Sequence, residues 1–409
     1  MTVSKTPVVT GTEHTMINNY MKEALALQET LSGWRRHLHQ IPEIGLDLPL
    51  TVSYVSAQLR LMGIEHKISE RCNITALIGS GDRCFMLRSD MDALPIREES
   101  GESFASVNGN MHACGHDMHT AILLGAAKLL KDHEDELGGT VKLLFQSGEE
   151  IFTGASAAIA EGVLRDPAPE AAFCMHVDAV NDVGLFAYGK RPMSSVYGFR
   201  IRISGKGAHG STPELGVDPI ASAVHIYLAL QELISREIPA SAEAALTIGH
   251  IEAGSVPNVI PDTAVLEGTL RTFDPDVREL LISRIKEVSQ SVSAAYRSAA
   301  EIEVLYDVPV CICDEALNRE AIDAIHKVND SFPVLELFHS MGSEDFSFFT
   351  DKLPCSYMAI CAGAEDGKRW PPHNPKTRFN EKALPIGAAV YATVAAEHFK
   401  YRTPEQNSY

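Results

Sequence analysis

The apolar pattern of this chain changes style twice, and that change limits the folds open to it. Between residues 74 and 177 the apolar residues come in short runs: Ile74-Thr75-Ala76-Leu77-Ile78, Cys84-Phe85-Met86-Leu87, Val141-Lys142-Leu143-Leu144-Phe145 and Ala171 to Val177. The first two runs are bounded by glycine or charge, in the manner of buried strands. A helical stretch near 50–62 precedes them, and others near 119–132 and 155–162 lie among them. Strands alternating with helices of about 10 to 15 residues specify a mainly parallel sheet covered on both faces. From about residue 190 the period becomes two, because Phe199-Arg200-Ile201-Arg202-Ile203 and Thr263 to Thr272 alternate apolar with polar residues. Such strands have one wet face. Helix-like stretches at 218–235 and 276–299 accompany them. After about 306 the first style returns, with a helix over 314–328, a strand from Tyr357 to Cys361 and a terminal helix over 381–399. The expected architecture is therefore an α/β domain, residues 1–190 and 306–409, interrupted by an inserted α+β domain over 191–305. Near the N-terminus, Ile17, Tyr20, Met21, Leu25, Leu27, Leu31 and Trp34 predict one amphipathic helix from Glu13 to about His39, ended by Pro42.

A chain of 409 residues is too long for one hydrophobic core, so two domains agree with its length. Its 54 acids against 35 bases leave a formal charge of −19. That charge repels phosphate backbones and anionic membranes, so neither nucleic acid nor a membrane is expected as partner. The eight cysteines are too sparse and irregular for a disulfide scaffold, and are read as reduced thiols in a cytoplasmic protein. The stretch MTVSKTPVVTGTEHT has no apolar segment of the kind that directs secretion, and no run of 18 apolar residues predicts a membrane span.

The densest chemical signal is Met111-His112-Ala113-Cys114-Gly115-His116-Asp117-Met118-His119-Thr120, just before a helix. Cysteine and histidine suit a borderline-soft divalent ion, and Gly115 allows the tight turn that brings Cys114 and His116 to one site. Two other readings stand beside this one. Asp117 or Thr120 could simply cap the helix, and Cys114 could be a nucleophile with a histidine partner. Gln146-Ser147-Gly148-Glu149-Glu150 follows a strand at its carboxyl end, where open α/β sheets build their sites. Adjacent loop residues point apart, so one carboxylate can ligate a metal while its neighbour deprotonates water; a solvated turn is the plain alternative. His176 ends the run Ala172-Phe173-Cys174-Met175, and His373 sits in the proline-stiffened Trp370-Pro371-Pro372-His373-Asn374-Pro375. Cys114, His116, Glu150, His176 and His373 are thus five candidate ligands, more than one structural zinc needs and suited to a pair of ions sharing a bridging group. Cys114 is the first candidate for that bridge and Asp117 the second.

Further motifs carry a resemblance. Trp34-Arg35-Arg36-His37-Leu38-His39-Gln40-Ile41-Pro42-Glu43, Arg88-Ser89-Asp90-Met91-Asp92-Ala93-Leu94-Pro95 and the His112–Thr120 cluster occur in that order. They are followed by Gly148-Glu149-Glu150, His176, Gly205-Lys206-Gly207-Ala208-His209, Val256-Pro257-Asn258-Val259-Ile260-Pro261, Gly268-Thr269-Leu270-Arg271, Gly342-Ser343-Glu344-Asp345-Phe346 and His373-Asn374-Pro375. From about residue 30 to the end the chain resembles the amidohydrolase branch of the M20 metallopeptidases, which includes hippurate hydrolases, aminoacylases and plant auxin-conjugate hydrolases. The resemblance implies a zinc-peptidase-like catalytic domain with an inserted lid that pairs subunits into a homodimer or higher homo-oligomer. It implies two divalent ions per subunit, zinc, manganese or cobalt, held by Cys114, His116, Glu150, His176 and His373, with Glu149 as general base and Asp117 behind the ligands. It also implies that His209 reaches the active site of the partner subunit, and that Asn258 and Arg271 contact the substrate, Arg271 through a carboxylate.

Three departures bear on substrate choice. Glu214 stands where relatives carry a second histidine, Met193-Ser194-Ser195-Val196-Tyr197-Gly198 lacks an aspartate usual before the lid, and Asp47 stands where glutamate is frequent. The expected activity is hydrolysis of the amide bond of an N-acyl or aroyl amino acid, a small-molecule substrate. The alternatives are C–N hydrolysis of an arylamine or of a cyclic or carbamoyl amide, and a non-catalytic metal- or ligand-binding relative. The presence of both Glu149 and Glu150 argues against a mere binder, which needs only the second.

Overall fold

The computed structural model describes residues 13–401, with side chains over residues 20–400, so the side chain of Ile17 and the extreme termini lie outside the described residues. The chain begins with α1 (Glu13–Ala26), α2 (Gln28–Gln40), α3 (Pro49–Leu61), β1 (His66–Ile68), β2 (Ile74–Gly79), β3 (Cys84–Asp90) and α4 (His116–Asp132). It continues through β4 (Thr140–Gln146), α5 (Gly154–Ala160), β5 (Ala171–Asp178) and β6 (Phe186–Ala187). Next come β7 (Ser195–Ser204), β8 (Ala208–His209), α6 (Pro219–Glu232), β9 (Ala244–Ala253), β10 (Val259–Ile260), β11 (Thr263–Thr272), α7 (Pro275–Ala295) and β12 (Ala299–Val308). The chain closes with α8 (Glu315–Val328), β13 (Val334–Leu335), α9 (Ser347–Thr350), β14 (Cys355–Cys361) and α10 (Ala383–Tyr401).

These elements form two compact units. The first comprises Met1–Pro192, Ile312–Phe338 and Phe349–Tyr409, and the second Met193–Cys311 and His339–Phe348. The first unit carries an eight-stranded sheet in the order β1-β2-β4-β3-β5-β14-β6-β13. Its centre is parallel, β3 pairing with β4 and β5, and β5 with β14. The margins are antiparallel at β1/β2, β2/β4 and β14/β6, which the mainly parallel expectation did not separate. Only the central strands need cover on both faces, and β3, β4 and β14 are buried along their whole length. The apolar core runs from α4 (Ile122, Leu123, Leu130) to α10 (Leu384, Val390, Tyr391) across Phe85, Phe145 and Phe173.

The expected helix from Glu13 to His39 is two helices. The backbone leaves helical geometry at Leu27, with φ −86° and ψ 0°, and this lets α1 pack on α8 and α10 while α2 packs on α4.

The second unit is a four-stranded antiparallel sheet, β12-β7-β11-β9, with α6 and α7 packed on it. Phe199, Ile201, Ile203, Leu266 and Leu270 alternate inward against Ile226, Leu230, Leu281 and Ile285, as the period of two requires. The stretch expected to be helical to 299 ends at Ala295 and returns as β12. Residues 306–311 and 339–348 belong to this unit, although the sequence places them with the first. Pairing explains both: β12 continues past 305 against Gly198, Tyr197 and Val196, and the 339–343 segment is fastened to Met193 and Ser194, which lead into β7. There the Ser194 amide donates to the Ser340 and Gly342 carbonyls at 3.1 and 2.9 Å, and His339 stacks on Phe273 with centroids 3.8 Å apart.

One buried charge in the first unit is structural. Lys142 points from β4 into the segment after α5, where its ammonium donates to the carbonyls of Val163, Arg165 and Pro167 at 2.7, 2.8 and 2.6 Å. Replacing Lys142 by Met strands three carbonyls, so Lys142→Met should lower unfolding free energy by about 2 to 4 kcal/mol in urea titrations. An unchanged midpoint would show that the segment is held by other contacts.

Candidate active site

At the carboxyl ends of β3, β4 and β5 the chain collects carboxylates and imidazoles. Asp90 and Asp92 leave β3 two residues apart, a spacing that keeps their side chains on one side of an extended chain. Asp92 is fully buried, and its two oxygens accept the backbone N–H groups of Glu149 and Glu150 at 3.0 and 3.1 Å. This carboxylate therefore folds the Glu-Glu turn after β4. Gly148, at φ +69°, opens that turn, and a Cβ on Gly154 would lie 1.7 Å from the Ser147 carbonyl oxygen. Glycine is demanded at both places by backbone geometry.

Gly115 performs the expected service before α4. Its φ is +85°, and a Cβ there would come within 2.4 Å of Val177 and 2.8 Å of Phe379. The turn presents Cys114 and His116 together. The Cys114 Sγ lies 3.3 Å from His176 Nε2, while His176 Nδ1 donates to the Val177 carbonyl at 2.8 Å, leaving a lone pair on Nε2. Burial holds His176 well below its usual pKa, so it is neutral and able to ligate. His373 adopts φ +65° in its loop, and its amide donates to the Ala113 carbonyl at 3.0 Å, tying the loop to the cysteine turn. Its Nε2 lies 3.5 Å from Glu150 Oε1.

Donor atoms of Cys114, His116 and His176 lie within 4.8 Å of one another, as do those of Cys114, Glu150 and His373, and those of His116, Glu149 and Glu150. The structure thus brings together every metal-ligand candidate of the sequence, with Cys114 common to the first two sets. Both ring nitrogens of His116 and Oε1 of Glu150 are buried with no hydrogen-bond partner. Burial would lower the His116 pKa, but Asp90, Asp92 and Glu150 push it up to about 10. Orphaned donors in a negative pocket fit divalent cations, and the mixed sulfur, nitrogen and oxygen set fits a borderline-soft ion. Asp117 is turned elsewhere: its Oδ2 accepts from Arg35 Nε at 2.8 Å and His39 Nδ1 at 2.9 Å.

Asp90, Asp92 and His119 lie within the motifs that carry the resemblance, and no role is expected of them from the sequence. His119 Nδ1 donates to Asp90 at 2.6 Å and its Nε2 accepts the Val177 N–H at 2.9 Å, so it secures the strand end that carries His176. The Asp-x-Asp spacing at the end of a buried strand is the signal that could have found the two acids.

The remaining candidates lie on the second unit. His209 on β8 faces Val259 on β10, and the Gly210 amide donates to the Asn258 carbonyl at 2.8 Å, so His209 and Asn258 are neighbours. His209 Nδ1 accepts the Ser211 amide N–H at 3.1 Å, which leaves the proton of a neutral ring on Nε2. Arg271 lies on β11, where Nη1 donates to the Met341 carbonyl at 2.8 Å and to Ser343 Oγ at 3.0 Å.

Thiol, imidazole and carboxylate donors gathered at strand ends beside a further glutamate define a metal-dependent hydrolase. The family described as Peptidase family M20/M25/M40 matches residues 86–397. The chain belongs to that family and is a metal-dependent hydrolase of amide bonds. It is 37% identical over 385 residues to N-acetyl-L-cysteine deacetylase of Bacillus subtilis, covering 93% of this chain and 88% of that one. It is 36% identical over 377 residues to IAA-amino acid hydrolase ILR1-like 4 of Arabidopsis thaliana, covering 90% and 85%. Among solved structures it is similar to the YXEP protein of Bacillus subtilis, described as a dinuclear metal binding peptidase from the M20 family. That similarity has a TM-score of 0.79 and 31% identity, covering 92% of this chain and 99% of that one.

His39, which holds Asp117 beside the candidate ligands, sets a pH dependence. Burial alone would depress His39, but the Asp117 carboxylate and hydrogen bonds to Asp117 and Glu98 outweigh it and push the pKa up to about 9. A histidine raised in the folded state contributes its full stability below about 6.5, and loses it as pH rises through about 9. Relative to His39→Gln, the wild type should lose about 3 kcal/mol of stability between pH 6.5 and 10 in denaturant titrations. Parallel pH profiles for the two proteins would contradict this.

Proposed function

We propose that this protein cleaves the amide bond of an N-acyl or aroyl amino acid, releasing a carboxylic acid and an amino acid. The observation that carries the reading is the gathering of Cys114, His116, Glu150, His176 and His373 around common points with Glu149 at their side. The substrate class follows relatives named N-acetyl-L-cysteine deacetylase and IAA-amino acid hydrolase. The five ligands hold two divalent ions, zinc, manganese or cobalt; the Cys114 thiolate favours zinc. When bound, such ions polarise the scissile carbonyl and acidify water.

The protein's own groups do the rest. Glu149 takes the proton of the attacking water and later gives it to the leaving nitrogen. Its backbone is pinned by Asp92 and its carboxyl is almost wholly buried, so the base stays in place between these transfers. His209 offers its Nε2–H to the carbonyl oxygen in the partner subunit's site, and Asn258 and Arg271 hold the rest of the substrate, Arg271 by the carboxylate. Homodimerisation is supported by the second unit, whose edge strand β9 exposes Ile251 and whose α6 exposes Ile220, Val224 and Leu228 at four-residue spacing. A cytoplasmic setting agrees with eight free cysteines, and no helix among the described residues is long and apolar enough to cross a membrane.

Glu149→Gln should lower kcat at least about a hundredfold while metal content, measured by plasma mass spectrometry, is unchanged. Wild-type rates in that variant would remove Glu149 from the mechanism. The substrate reading is tested on N-acetyl, benzoyl and indoleacetyl amino acids set against simple arylamines, with zinc, manganese or cobalt loaded; turnover confined to the arylamines overturns it. His209→Ala and Glu149→Gln proteins, each inactive, should regain turnover when refolded together as mixed dimers. Mixed dimers as inactive as their parents would place His209 in its own subunit's chemistry or outside it.

A further inference from the structure

The second unit balances most of its guanidinium groups with acids. Arg200 donates to Glu267 and Glu303, Arg278 pairs with Asp307, and Arg284 with Glu237. Arg271 differs. It is half-buried on β11, and among the described residues no carboxylate pairs with it; its partners are the Met341 carbonyl and the Ser343 hydroxyl, both on Nη1. Burial accordingly holds its pKa below the ordinary arginine value. A partly desolvated cation without a counter-ion is costly, and an anionic ligand removes that cost.

The frame around it is stiff. Ser194 Oγ donates to the Met341 carbonyl at 2.9 Å, the Ser194 amide grips the carbonyls of Ser340 and Gly342, and the Gly342 amide donates to Ser340 Oγ at 3.1 Å. With Nη1 engaged twice on this frame, the guanidinium cannot rotate freely. Its Nε and Nη2 retain two parallel N–H groups, the arrangement that matches a carboxylate.

We propose that Ser343, together with the Met341 carbonyl, is a positioning residue for Arg271, fixing the guanidinium so that its Nε/Nη2 edge selects substrates bearing a free carboxylate. The inference rests on the reading above that Arg271 holds the substrate carboxylate. Ser343 contributes orientation, and Arg271 contributes charge.

The test compares N-acetylmethionine with N-acetyl-3-(methylthio)propylamine, the same amide without its carboxylate, on the metal-loaded full chain. Ser343→Ala should raise KM for the first about tenfold, the worth of one hydrogen bond to a charged group, with kcat within about twofold. The kcat/KM ratio between the two amides should fall by the same factor, and Ser343→Thr, which keeps the hydroxyl, should restore it. Arg271→Ala should erase the ratio. If Arg271→Ala erases it while Ser343→Ala leaves it intact, the positioning role is overturned and the carboxylate reading stands. If Arg271→Ala leaves the ratio intact, the carboxylate reading itself falls. Equal losses on both amides in Ser343→Ala, or a loss that Ser343→Thr does not repair, would mark Ser343 as structural only.

Discussion

The Asp92 carboxylate, accepting two successive backbone amides across from β4, is the contact on which the candidate centre depends. A charged acceptor buried at a strand end would be costly alone, and two N–H donors meet that cost. In return the backbone of the turn is fixed residue by residue, and the carboxylates of Glu149 and Glu150 both come within 4.0 Å of His116 Nε2. Under the proposed function one of these carboxylates serves as a ligand and the other as the base. The same economy of parts recurs at Gly115, whose left-handed backbone sets Cys114 and His116 side by side at the entrance to α4.

Around this clamp the first unit supplies a second layer of fixed charges. Arg35 and His39 on α2 hold Asp117, Arg35 and Arg36 hold Glu381, and Arg88 holds Asp90 at 2.7 Å. These groups neutralise acids that would otherwise repel the carboxylates of the site, yet leave both ring nitrogens of His116 and Oε1 of Glu150 without a hydrogen bond. The centre is therefore rigid at its rim and unsatisfied at its middle, which is the electrostatic condition for holding cations.

Much of this was legible in the amino-acid order. Short, mainly apolar runs announced β2 to β5, and alternation announced β7 and β11, because burial on one face or two leaves a direct trace in polarity. The helix break at Leu27 left none, since the apolar spacing continues across it. β9 was not anticipated, because it is an edge strand with little inward-facing apolar surface. The five candidate ligands were legible because sulfur, imidazole and acid side chains are rare neighbours. The bond to Asp92 from the Glu149 and Glu150 amides was not, because the Asp-x-Asp spacing marks the acid but backbone amides are the same at every position. The attachment of residues 339–343 to the inserted unit also escaped, since carbonyl and hydroxyl contacts to Ser194 and Arg271 carry no compositional mark.

The position of β14 has a bearing on how the chain matures. It lies between β5 and β6 in the sheet, yet begins at Cys355, long after β5 ends at Asp178. While the ribosome is still making the intervening residues, β5 keeps a bare, apolar edge, a form prone to wrong pairing. His373 is made later still. A nascent chain is thus unable to bring His373 to Cys114 and Glu150 until nearly all of it has been synthesised, and the candidate centre stays incomplete in unfinished products.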